Sequence, residues 1–211
     1  VLRGSIVRQL HLSILLLTGL LSATGAWAEG ARARPDQPEV GDALKSGDVG
    51  GAFRVSREKA EQGEIEAQYN LALFYWHGVG APQNFEEAMR WATLSAIRGH
   101  RKATSARSLM QRSIEPQLAQ KSMDWSRQRL IKQAEGGDNE ALTPLAVSYR
   151  SDFGFPNEAE AYFWSSLAVS LGKAEARRQR DALVQSMSQS DVVKTQQKAS
   201  QWIQKWRKEQ S

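Results

Sequence analysis

Ala60-Glu61-Gln62-Gly63-Glu64-Ile65-Glu66-Ala67 returns 74 residues later as Ala134-Glu135-Gly136-Gly137-Asp138-Asn139-Glu140-Ala141. The correspondence continues at that spacing through Leu71-Ala72 with Leu145-Ala146, Tyr75 with Tyr149, Gly80 with Gly154 and Pro82 with Pro156. One residue then drops out of the second copy. Asn84 with Asn157, Ala88 with Ala161, Trp91 with Trp164, Gly99 with Gly172 and Ala103 with Ala176 follow at a spacing of 73. Self-similarity at fixed spacing marks a repeat array and outranks any local reading of the fold. One helix pair cannot bury its apolar face alone, whereas stacked pairs bury it against their neighbours.

The period inside each copy is helical. Ala67, Leu71, Phe74 and Tyr75 fall at i, i+4, i+7 and i+8, one face of an amphipathic helix. Gly78-Val79-Gly80-Ala81-Pro82 stops that helix, and Asn84 is placed to cap the next, which carries Ala88, Trp91, Ala92 and Ser95 on one side and ends at Gly99. In the second copy Ala141, Leu145 and Tyr149 share a helix. Gly154-Phe155-Pro156 breaks it, and Asn157 caps a helix striped by Ala161, Trp164, Leu167, Ala168 and Leu171 before Gly172. Asp48 caps a preceding helix that runs to about Gln62. Each copy is followed by a more degenerate helix pair, at about 100–112 and 115–135 and at about 173–187 and 190–208. Leu118, Ser122 and Trp125 are the stripe expected of the 115–135 helix. Val192, Gln196, Ala199, Ile203 and Trp206 are that of the last. β-branched alternation is absent, so no strands are expected. The fold predicted is an all-α solenoid of stacked antiparallel helix pairs over residues 41–208. Small residues (Ala67, Ala72, Ala88, Ala103) allow close approach, and Tyr75, Trp91, Tyr149 and Trp164 fill the space between layers.

Ahead of this domain the chain reads differently. Arg3 and Arg8 precede the apolar run Leu12–Leu21, and Ala26-Trp27-Ala28 follows. Basic start, short apolar stretch and small-x-small end are the layout of a secretory signal peptide. The run is shorter than the ~20 apolar residues of a spanning helix. Cleavage after Ala28 is expected, with an uncleaved anchor as the alternative. Residues 29–40, with Pro35 and Pro38, read as a flexible leader. These features predict a periplasmic or secreted protein with no membrane span after cleavage.

Composition narrows the function. Of 211 residues 41% are hydrophobic and 24% charged, with a formal net charge of +5 and no cysteine. Thiol nucleophiles, thiolate metal sites and disulfide frameworks are thereby excluded. Of three histidines, His11 lies in the signal segment, and His77 and His100 stand alone beside Gly78 and Gly99. No metal-ligand spacing, nucleophile elbow, phosphate loop or dinucleotide fingerprint occurs. No metal and no cofactor are expected, and the protein reads as a non-enzyme.

The motif Ala-Glu-Gln-Gly-(x)3-Ala-Gln-Tyr-Asn-Leu-Ala-(x)2-Tyr-(x)2-Gly-x-Gly-Ala-Pro-Gln-Asn-(x)3-Ala-(x)2-Trp, ending at Gly99 and Ala103, resembles the Sel-one-like repeat, a relative of the tetratricopeptide repeat. The unit from Ala67 to Ala103 spans 36 positions, against 34 for the tetratricopeptide type. Clear resemblance covers about 60–103 and 134–176. The second copy departs at Thr143-Pro144 and at Asp152, which stands where Gly78 would be. The resemblance implies a superhelical scaffold or adaptor in protein complexes, often exported in bacteria. Cysteine-rich members that resemble β-lactam-binding proteins are a poor match to a cysteine-free chain.

Two binding surfaces are expected. In stacked pairs the first helix of each lines the concave side. With Leu71 and Tyr75 inward, the adjoining face of the first copy carries Glu66, Tyr69, Asn70, Leu73, Trp76 and His77. Tyr and Trp are enriched at hot spots, and an exposed Tyr69-Leu73-Trp76 stripe fits a peptide or helix of another envelope protein. The alternative is that these residues pack around Phe53. The second-copy equivalents, Glu140, Thr143, Pro144, Val147 and Arg150, form a poorer hot spot. The second surface lies between Arg98 and Lys132, where nine basic residues face only Glu115 and Asp124. Arg101, Lys102, Arg107, Arg112, Arg127 and Arg129 could there hold an anionic envelope polymer, or simply form a solvated helix face. Nucleic acid is not expected of an exported protein without an aromatic-interleaved basic motif.

Overall fold

A computed structural model describes residues 46–210, so the expected signal peptide, leader and residues 41–45 lie outside the described residues. Among the described residues there are nine α-helices and no strand. They are α1 Val49–Glu61, α2 Ile65–His77, α3 Phe85–Ile97, α4 Arg101–Gln111, α5 Pro116–Glu135, α6 Leu142–Ser148, α7 Glu158–Ser170, α8 Arg177–Ser186 and α9 Gln189–Glu209. Two compact units divide at Trp91 and Ala92, within α3.

In the first unit the helix ends are set by their caps. Asp48 Oδ1 accepts from Gly51 N–H at 2.7 Å, which starts α1. Gly78, at φ 66°, takes the left-handed conformation that ends α2. Two residues on, Gly80 (φ 74°) lies so close to α1 that an added Cβ would stand 2.7 Å from Phe53 Cβ and 2.8 Å from the Val49 carbonyl. Asn84 N–H then donates to the Tyr75 carbonyl at 2.9 Å, and Asn84 Oδ1 accepts from Glu87 N–H at 3.0 Å to start α3. Between α1 and α2, Phe53 sits edge-on to Phe74 and Tyr75, with ring centroids 6.1 and 5.3 Å away. Gln68 is buried there and donates to the Ala60 carbonyl at 3.2 Å.

The second unit repeats this hairpin with one change. Asn157 N–H donates to the Tyr149 carbonyl at 3.0 Å, and its Oδ1 accepts from Glu160 N–H at 3.1 Å. The shorter loop is absorbed by a 3-10 turn, Ser151–Phe153, ended by Gly154 at φ 86°. The first helix of this copy is not the full-length helix expected: a 3-10 turn, Asn139–Ala141, leads into the seven-residue α6. Pro144 explains the shortening. It lacks an N–H and clashes in a helix interior, so the α-helix starts at Leu142 and holds Pro144 in its first turn.

The packing of α5 also departs from expectation. Its buried face is Ala119, Ser122, Met123, Ser126, Leu130 and Ala134, while Leu118 and Trp125 are half-buried. Small residues on the inner face bring the helix close to its neighbours, and the indole is left at the margin beneath Arg129. On α7, Trp164 lies between Phe163 and Trp202, at 4.8 and 6.0 Å. Trp206 of α9 donates from Nε1 to the Ala134 carbonyl at 2.9 Å, which satisfies one of the last carbonyls of α5. The positions shared by the copies form much of the core: Ala67, Leu71, Ala88 and Trp91 in one, Ala141, Leu145, Ala161 and Trp164 in the other, are all buried. Tyr75 and Tyr149 are half-buried, and Pro82 and Pro156 are exposed.

Trp91→Ala and Trp164→Ala are each expected to cost about 3–5 kcal/mol in urea-unfolding free energy. Gly80→Ala should cost more than about 1 kcal/mol, because it combines a left-handed backbone with a steric overlap; a neutral Gly80→Ala would contradict the close approach of α1.

Candidate functional site

The face of α2 expected to bind is only partly open. Asn70 and Leu73 are buried, 5% and 8% exposed, so the continuous Tyr69-Leu73-Trp76 stripe is corrected. The reason is the neighbouring residues: Gln68, Asn70, Leu71, Ala72, Leu73 and Phe74 are all buried, on more of the helix circumference than an amphipathic surface helix presents. Glu66, Tyr69, Trp76 and His77 are half-buried. Burial, and after it the Glu66 carboxylate, push the Tyr69 hydroxyl above its ordinary range. Trp76 stacks at a tilt on Phe85, centroids 4.7 Å apart, and Gln83 donates to its carbonyl. Phe53 packs on Phe74 and Tyr75, the other side of α2 from the expected stripe.

The second copy carries a groove where the sequence favoured the first. Thr143, Val147 and Arg150, the equivalents of Tyr69, Leu73 and Trp76, line a cavity of about 720 Å³ together with Tyr149, Pro156 and Leu183. Its lining mixes apolar side chains (Val147, Pro156, Ala161, Ala182, Leu183) with charged ones (Arg150, Asp152, Glu158, Glu175, Arg178). Arg150 makes a two-point contact with Asp152, 3.1 and 2.9 Å. Thr143 donates to Glu175 at 3.0 Å. Gln179 of α8 donates to the Ala146 carbonyl at 2.9 Å, tying the far wall to α6. Periodicity could not reveal this groove, since its far wall is α8, none of whose residues is buried.

The expected cationic patch divides. Arg107 is 4% exposed; it donates to the Phe153 carbonyl at 2.9 Å and lies over the Phe153 ring. Arg127 donates to the Ser148 and Phe155 carbonyls at 2.6 and 2.8 Å, with its guanidinium 3.9 Å from the Tyr149 ring centroid. Desolvation pulls both guanidinium groups below their ordinary range. These two are therefore removed from the anion-binding surface: they bind carbonyls at the end of α6 and in the turn that follows it. Arg129 is half-buried over Trp125, whereas Arg101, Lys102 and Arg112 are exposed.

The histidines sit at helix ends. His100 Nδ1 accepts from Ala103 N–H at 3.1 Å and caps α4. His77 closes α2 with its Nε2 buried and unpartnered, and desolvation holds its pKa below the ordinary histidine value. Among the described residues no group of three His, Asp or Glu could hold a metal ion, and no helix is long and apolar enough to cross a membrane.

Comparison with known proteins agrees with the internal repeat. The Sel1 repeat family model matches residues 65–100 and 141–173. No curated protein matches the chain. A solved structure, a protective antigen present in uropathogenic Escherichia coli strains displaying an SLR fold, is 19% identical with a TM-score of 0.32. That match covers 78% of this chain, which spans only 44% of the other's length.

Two outcomes follow from the site. Arg107→Glu and Arg127→Glu should each lose more than about 2 kcal/mol by chemical unfolding, while Arg101→Glu and Arg112→Glu stay within about 0.5 kcal/mol. Because folded His77 resists protonation, its contribution to stability is fully present above about pH 6.5 and is lost as pH falls below it. His77→Gln should accordingly flatten the decline in thermal midpoint between about pH 7 and 5; an unchanged decline would assign the acid sensitivity to other groups.

Proposed function

We propose that this chain, which carries two Sel1 repeats, is a non-enzymatic adaptor of the bacterial envelope that docks a protein partner in the groove of its second repeat. Sel1 repeats generally mediate protein–protein interaction, and helical arrays present extended binding surfaces for that purpose. The observation that carries the reading is the alignment of Thr143, Val147 and Arg150 along a cavity of about 720 Å³. A cavity lined by apolar and charged side chains together suits a peptide segment: the apolar groups supply affinity and the charged groups supply register. In the first repeat, taken by itself, the Trp76–Phe85 pair is a separate candidate contact, aromatic like the residues that dominate interfaces. The layout of residues 1–28 supports delivery to the periplasm or beyond. The anionic-polymer alternative is weakened, because Arg107 and Arg127 are committed to backbone carbonyls.

Affinity capture from an envelope extract tests the reading, with three baits of matched helicity: wild type, Val147→Glu/Arg150→Glu and Tyr69→Glu/Trp76→Glu. A protein retained by the wild type and lost from the groove variant identifies the second repeat as the docking site. Loss from the Tyr69/Trp76 variant alone moves the site to the first repeat. Identical sets on all three baits defeat the groove reading.

A further inference from the structure

Three exposed cations stand together on α4 and its C-terminal cap: Arg101, Lys102 and Arg112. Among the described helices that carry a Lys or Arg, α4 alone contains no Asp or Glu. At 100° per residue, Arg101, Ser105 and Arg112 lie nearly in line, with Leu109 and Lys102 beside them. The opposite face is held inward by buried Ala103 and Met110 and by the Arg107 hydrogen bond to Phe153, so the cationic face is directed outward by the packing of its own helix. Some cations elsewhere have acidic partners, as in Arg150 with Asp152, Arg180 with Asp181 and Lys198 with Glu160. Arg101, Lys102 and Arg112 have none among the described residues.

Leu109 sits among these charges and is 63% exposed, the most exposed large apolar side chain among the described residues. The hydroxyls of Thr104, Ser105 and Ser108 on the same helix turn back to the carbonyls of His100, Arg101 and Thr104. This face thus offers positive charge and one protruding leucine.

We propose that the outer face of α4 is a peripheral contact site for an anionic lipid surface. Arg101, Lys102 and Arg112 meet the headgroups and Leu109 enters the headgroup boundary. Negative surface potential attracts each such cation within a Debye length, and an apolar side chain between them adds burial at the interface. An anionic polysaccharide would gain nothing from Leu109, and an acidic peptide would need a groove or an edge that the face of a single helix does not provide. Three charges and one leucine make a weak, salt-sensitive contact. It is independent of the second-repeat groove.

The test is co-sedimentation with phosphatidylcholine vesicles, with and without phosphatidylglycerol, at low and physiological salt. The chain without residues 1–28 is used, which removes no described residue. Binding is expected only to the phosphatidylglycerol vesicles, falling as salt rises. Arg101→Glu/Lys102→Glu/Arg112→Glu should weaken it about a hundredfold. Arg54→Glu/Lys194→Glu/Arg207→Glu, an equal change in net charge on other helices, should leave most of it. Leu109→Ser keeps the charge, serves as the second readout if the triple variant does not fold, and should weaken vesicle binding about tenfold while leaving dextran sulfate binding unchanged. Equal loss from both triple variants, no preference for anionic vesicles, or indifference to Leu109→Ser would overturn the proposal. The last result would leave a charge-only contact with polymers.

Discussion

A backbone hydrogen bond closes each repeat, from Asn84 N–H to the Tyr75 carbonyl and from Asn157 N–H to that of Tyr149. The same asparagine then caps the following helix through its side chain. One residue therefore ends the turn and starts the next helix, so the two helices of each hairpin are held at a set separation. In the second copy the loop is a residue shorter, yet the bond is kept at nearly the same length. The deletion is taken up by a 3-10 turn and not by the pairing of the helices.

The same turn is met by the degenerate helix pair between the copies. Ser148 ends α6, and Phe153 and Phe155 lie in the turn that follows it. Arg107 from α4 and Arg127 from α5 reach their carbonyls, and the rings of Phe153 and Tyr149 take the remaining faces of the guanidinium groups. Arg107 is buried with one terminal nitrogen on a carbonyl and its face on an aromatic ring, while its Nε has no partner. The weakly repetitive helices α4 and α5 thus support the second repeat directly.

The two repeats, alike in sequence, present different surfaces. In the first, Leu73 is covered and Trp76 is backed by Phe85. In the second, the smaller Thr143 and Val147 and the Arg150–Asp152 pair leave an open cavity toward α8. Trp76 rests on Phe85, whereas its equivalent Arg150 turns to Asp152. A reading based on residue type favoured the first copy; small residues are what make a groove.

What the sequence by itself determined is local. Asp48, Asn84 and Asn157 as caps, Gly78 and Gly154 as left-handed stops, the helix-period stripes and the buried tryptophans are all readable, because each rests on neighbours within a turn or two and on rules of backbone geometry. Two local departures were also visible in principle: Pro144 states where α6 must begin, and Ala119, Met123 and Ala134 outline the inner face of α5 as well as Leu118 and Trp125 do. Only the tertiary structure decided which arginines reach solvent, how much of α2 is covered and where the groove opens. Arg107 meets a carbonyl 46 residues away and Trp206 one 72 residues away. A charged side chain that ends in the core has the same sequence signature as one that ends in water. The difference lies in distant partners, which no local pattern encodes.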